Sequence, residues 1–148
     1  LVPHSGFTRD LYVWWAQLPK PVIVGIMGRR LFGPSYIDDT EYYRADRLLK
    51  PVEVGFVGVV CMAERDAFGF DVRGISRNGD DLFWQIEHRP GWRKFVVPSM
   101  NYEDLPEASG ASAMYRQPRL KKQRIEYYRT LWDGILKHRI GSSKESAP

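Results

Sequence analysis

The longest apolar run in this chain, Val54 to Ala63, is ten residues long and carries four valines. It is too short to cross a bilayer as a helix. Its β-branched content favours a buried strand instead. The best core strand is therefore expected over Val52 to Met62, with Val54, Phe56, Val59, Val60 and Met62 as its apolar residues. Gly55 and Gly58 interrupt it, and glycine inside a strand marks a bulge or a close backbone approach. A chain built around such a strand must supply a sheet to surround it.

The rest of the sequence offers the pieces. Val22 to Met27 is a second short apolar run and reads as a buried strand. Trp92 to Val97 reads as another, stopped by Pro98. Phe7 to Leu18, with Tyr12, Val13, Trp14 and Trp15, reads as a strand on its aromatic and β-branched content, with a helix as the alternative. Asp38 to Lys50 is ambiguous: Asp38 or Asp39 can cap a helix running to Leu49 and stopped before Pro51, with Tyr42, Ala45, Leu48 and Leu49 on one face. Met100 to Pro118 is rich in Pro, Ser, Gly and Ala and reads as a loop. Leu120 to Arg139 is the clearest helix, because Ile125, Tyr128, Leu131, Trp132, Ile135 and Leu136 recur at three- and four-residue spacing. The 148 residues suit one α+β domain over 1–140: a mostly antiparallel meander with an Asn-Gly hairpin, packed by a basic amphipathic C-terminal helix. A frayed tail is expected over 141–148.

The net charge of +4 is unevenly divided. Residues 116–148 hold 9 Lys+Arg and 3 Asp+Glu, a net +6; residues 1–115 hold 13 and 15, a net −2. The positive balance thus belongs to the C-terminal helix, centred on Arg119, Lys121, Lys122, Arg124 and Arg129. Clustered Lys and Arg are what phosphate neutralisation requires, so a nucleic acid or other polyanion is one expected partner and an acidic protein surface another. A solvated helix face with no partner is the bland alternative. One cysteine, Cys61, excludes an intramolecular disulfide framework, and three histidines beside it make a Cys/His zinc site implausible. A single free Cys suits the cytoplasm without excluding export.

Asn78-Gly79 is a strong hairpin signal between Phe68–Arg77 and Asp81–Arg89. A register in which paired residue numbers sum to 158 sorts the two arms cleanly. Phe68, Phe70 and Val72 then share a face with Leu82, Trp84 and Ile86, while Asp71 stands opposite Glu87. Facing carboxylates need a cation between them. Arg73 and Arg89 can serve, or a divalent metal can. Gly69-Phe70-Asp71-Val72 followed by Gln85-Ile86-Glu87-His88-Arg89 resembles the hairpin core of the PD-(D/E)XK nucleases. The resemblance implies a Mg²⁺-dependent nuclease with Asp71 and Glu87 as metal ligands. Arg89 takes the place of that family's lysine, and an arginine stays protonated and cannot act as a base. The match spans about 21 of the 148 residues.

Tyr36-Ile37-Asp38-Asp39 is similar to the Tyr-x-Asp-Asp of polymerase palms, but a chain this short lacks room for such a palm, and a turn or N-cap role is expected. Cys61 reads as a small buried hydrophobe. In a strand, neighbouring Trp14 and Trp15 would point to opposite faces, leaving one free for a partner; Trp92, beside Arg93 and Lys94, could stack a base. The leading expectation is a non-enzymatic binding module without a cofactor, contacting its partner through the basic helix. The alternatives are the nuclease and a complex subunit docking through Trp14, Trp15 and Trp92.

Overall fold

The computed structural model describes residues 1–68, 85–87, 89–103 and 118–138. The Asn78-Gly79 turn, Asp71 and Trp84 lie outside these residues. The architecture is α+β, with a curled, mostly antiparallel sheet and a C-terminal helix.

Strand β2 (Val22–Leu31) is the pivot. One of its edges pairs antiparallel with β5 (Phe56–Ala63), from Ile23↔Ala63 to Arg29↔Phe56. Its other edge is shared by two strands. β6 (Arg93–Val96) runs parallel to its first half, and β3 (Thr40–Arg44) antiparallel to its second. Val22, Ile23, Val24 and Ile26 are fully buried, because the curled sheet and α1 pack around this strand. The parallel β2–β6 pair makes the sheet mixed rather than a simple meander.

The core strand expected over Val52 to Met62 is present but bent. β4 (Val52–Val54) pairs with β6, Gly55 turns the chain, and β5 continues along β2. The N–H of Gly55 donates to the carbonyl of Arg29 at 2.8 Å. A Cβ at Gly55 would fall 2.2 Å from Leu31 Cδ1, so a side chain at this corner would displace the buried Leu31. Near Gly58 the register shifts: Gly25 and Met27 are two apart where their partners Cys61 and Gly58 are three apart, a β-bulge on β5. The path β2–β6–β4, then through Gly55 into β5 and back to β2, closes a small ring of strands, with Val54 and Val96 against Gly28 and Val57 against Gly25.

Phe7–Gln17 is a helix, α1, and not a strand. The physical reason is visible in the spacing: Phe7, Leu11, Trp14, Trp15 and Leu18 all pack on the core, at helical intervals. Three successive polar residues, Thr8, Arg9 and Asp10, cannot alternate across a strand. Asp10 sits in the first turn, where a carboxylate suits the helix dipole, and accepts from Ser99 Oγ (2.8 Å) and Asn101 Nδ2 (2.7 Å). At the other end Lys20 Nζ donates to the carbonyls of Trp15 (2.5 Å) and Leu18 (2.8 Å). Trp14 and Trp15 are consequently not on opposite faces; both are half-buried against the core.

No helix forms over Asp38 to Lys50. Thr40–Arg44 is β3, and a single 3₁₀ turn, Ala45–Arg47, follows. Its Asp46 accepts from the Tyr102 hydroxyl at 3.1 Å and from Arg44 Nε at 3.2 Å. Burial alone would raise the Asp46 carboxyl, but the bonds from Tyr102 and Arg44 outweigh it and hold the group below its ordinary range. Tyr102 belongs to β7 (Tyr102–Glu103), which pairs with β1 (Val2–Pro3) beside α1. The 35–39 segment is a turn, as expected: Ser35 N–H donates to Asp39 Oδ2 and Asp38 N–H to Ser35 Oγ.

The second arm of the expected hairpin is not extended where it is described: residues 85–87 are helical. Gln85 shows why. Its amide is buried and turned onto β5, accepting from Val57 N–H (3.0 Å) and donating to Val57 C=O (2.6 Å). One side chain thus does for Val57 what a neighbouring strand would do. Gln85→Ala leaves both groups buried and unsatisfied, and is expected to cost about 3 kcal/mol, read by urea denaturation. A loss of a few tenths would mean that water replaces the amide.

Candidate binding surface on the C-terminal helix

The C-terminal helix runs Pro118–Leu131 and continues as a π-helical turn, Trp132–Leu136. Its inner side carries Arg124, Tyr128, Leu131 and Leu136. The last step of five residues matches the wider π turn, which brings Leu136 back onto the buried side. These residues join Leu31, Phe56 and Ile86 in a second core cluster, with Tyr36, Tyr127, Trp132 and Ile135 at its margin. The apolar stripe therefore docks on the chain's own sheet.

Tyr128 is fully buried, and its hydroxyl donates to the carbonyl of Gly33 at 2.8 Å. Burial, followed by the neighbouring Asp39 carboxylate and Tyr36, pushes its phenol far above the ordinary tyrosine range. Tyr36 is the hub beside it. Phe56 stacks at 6.4 Å between ring centres, Tyr128 meets it edge-on at 5.3 Å, and the guanidiniums of Arg29 and Arg124 lie 5.1 and 5.2 Å from its centre. On the other flank the Tyr127 hydroxyl donates to Glu87. The helix is thereby fixed to the 33–36 turn and to the 85–87 segment.

The five basic residues expected to form one contact surface divide. Arg119, Lys121, Lys122 and Arg129 are exposed. Arg124 is buried, only 9 % accessible, with its guanidinium committed to Tyr36. Its position four residues before Tyr128 places it on the docked stripe, a signal present in the sequence but masked by its charge. Lys137 and His138 add to the outer face, which also carries Glu126 and Asp133. Lys122 and Glu126 approach to 4.0 Å, an exposed pair of little energetic weight. The first turn holds no acidic residue, so Arg119, Lys121 and Lys122 face the positive end of the helix dipole without compensation.

The other expected site residues are placed as follows. Trp15 donates its indole N–H to Glu64 at 3.4 Å and has Lys20 Nζ 4.2 Å from its ring; Trp92 is half-buried with the Arg89 guanidinium 5.8 Å from its ring. All three tryptophans of the docking reading pack on the core rather than standing clear of it. Glu87 lies on a helical turn, so the strand-to-strand facing that would set it against Asp71 has no strand at Glu87, and Asp71 lies outside the described residues. Among the described residues no group of three or more His, Cys, Asp or Glu is placed to hold a metal ion, and no helix is long and apolar enough to cross a membrane. The chain matches no protein-family model, no curated protein and no solved structure.

Proposed function

We propose that this chain is a non-enzymatic binding module that contacts a nucleic acid through the outer face of its C-terminal helix. The observation that carries the reading is the division of the helix. Its apolar side is consumed by the chain's own core, while Arg119, Lys121, Lys122 and Arg129 project to solvent. A basic face that is not needed for packing, at a helix end whose dipole favours anions, suits phosphate groups.

The reading is tested by fluorescence anisotropy with a labelled oligonucleotide over a salt series. Neutralising about four phosphates gives a log–log slope of about −3, and Lys121→Ala with Lys122→Ala reduces its size by about 1.5. Affinity that ignores salt, or no binding at low salt, overturns it.

A further inference from the structure

We propose that the nucleic acid bound is single-stranded, and that Tyr42 on β3 is the platform on which one of its bases stacks. This rests on the polyanion reading of the helix and adds a separate contact to it. Tyr42 stands directly opposite Arg29 in the β2–β3 register. Cross-strand partners share a face of the sheet, and the Arg29 guanidinium lies 5.2 Å from the centre of the Tyr42 ring. Arg29 is held there by a 3.1 Å bond from its Nη1 to Thr40 Oγ1. The tyrosine is therefore braced by a fixed cation, yet 48 % of it is open to solvent.

An exposed large aromatic on an ordered strand, braced in this way, has the features of a base-stacking platform: a flat π face, little rotamer freedom to lose, and a cation at hand for the phosphate. It is linked to the helix through shared ring contacts. Arg29 lies over Tyr36 as well as Tyr42, and the helix's own Arg124 lies over that same Tyr36 ring. Tyr42, Arg29, Tyr36 and Arg124 thus form a chain of ring contacts from the sheet edge to the docked side of the helix. The proposal places the phosphates on the exposed Arg119, Lys121, Lys122 and Arg129 and one base on the open part of Tyr42. A duplex could not use it, because its base faces are already stacked on one another.

The test compares a labelled single strand of about 12 nucleotides, within the site sizes of single-strand binders, with its duplex. Wild type, Tyr42→Phe, Tyr42→Ala and the Lys121→Ala/Lys122→Ala pair are titrated over a salt series, with thermal melts to confirm folding. The proposal expects tighter binding of the single strand than of the duplex. It expects Tyr42→Ala to weaken the single strand about tenfold with an unchanged salt slope, and Tyr42→Phe to bind as wild type. Salt-dependent binding that Tyr42→Ala leaves untouched, or equal affinity for duplex and single strand, overturns the stacking proposal while the helix reading stands. No binding of either form at low salt overturns both.

Discussion

Tyr128→Ala is expected to destabilise the protein by about 4 kcal/mol, the range for removing a large, fully buried aromatic side chain. The ring is the only fully buried large side chain that the C-terminal helix contributes among the described residues. It meets Tyr36 edge-on in the second core cluster, and its hydroxyl satisfies Gly33 C=O. Tyr128→Phe separates the two contributions. It keeps the packing and loses the hydrogen bond, for an expected cost of about 1–2 kcal/mol. Wild type and Tyr128→Phe also differ in alkali. The folded phenol titrates above its ordinary value of 10.0, so the unfolded chain loses this proton first. Its contribution is full below about pH 10 and declines as pH rises past that point toward the folded value. Guanidinium denaturation at rising pH should therefore show wild type losing stability more steeply above pH 10 than Tyr128→Phe. Parallel curves would mean that the phenol is not protected, and a cost under about 1 kcal/mol for Tyr128→Ala would mean that the helix is held elsewhere.

Gly28→Ala is expected to cost about 3 kcal/mol, at the upper end for overpacking a core by one methyl. A Cβ there would lie 2.5 Å from the Phe56 carbonyl oxygen, 2.9 Å from Val96 Cγ2 and 3.1 Å from Val54 Cγ2. Those atoms belong to β5, β6 and β4, so the added methyl presses on every other strand of the closed ring at once. The closest of them is backbone, which cannot turn aside as a flexible side chain can. Gly134→Ala is the control: nothing lies within 4 Å of its Cβ, and the helical position favours alanine by up to about 1 kcal/mol. Equal effects at the two positions in thermal melts would mean that the ring relaxes freely around Gly28.

The sequence made β2, the bent β4–β5 strand, β6 and the C-terminal helix legible, because their apolar patterns carry the whole signal. Gly55 and Gly58 were legible as sites of a bulge or close approach, since a strand tolerates glycine for few other reasons, but the corner at Gly55 was not. α1 was not read correctly. Its Tyr-Val-Trp-Trp segment has strand propensity, and packing of Phe7 and Leu11 on the sheet overrides it. The turn at Gln85 was invisible because its cause is tertiary: an amide that reads as a surface residue is spent on the backbone of Val57, 28 positions away. Arg124 was assigned to the solvent on its charge, whereas a guanidinium can lie flat on a tyrosine inside a core. Tyr42 read only as part of an apolar helix face, since its pairing comes from the register that sets it against Arg29.

The placement of β6 bears on how the chain must assemble. Val96 pairs with Gly25 on one side and Val52 on the other, so β6 is a late-arriving tenon in a mortise whose walls, β2 and β4, come from earlier in the sequence. The β2–β3 and β2–β5 pairings join closer segments, and loop-closure entropy favours them first. Until residues 93–96 have been synthesised and seated, β2 and β4 present facing rows of unpaired amides and carbonyls, the kind of edge that recruits other strands. A nascent or truncated chain ending short of Arg93 is accordingly the aggregation-prone form of this protein, and seating β6 is the event that seals it.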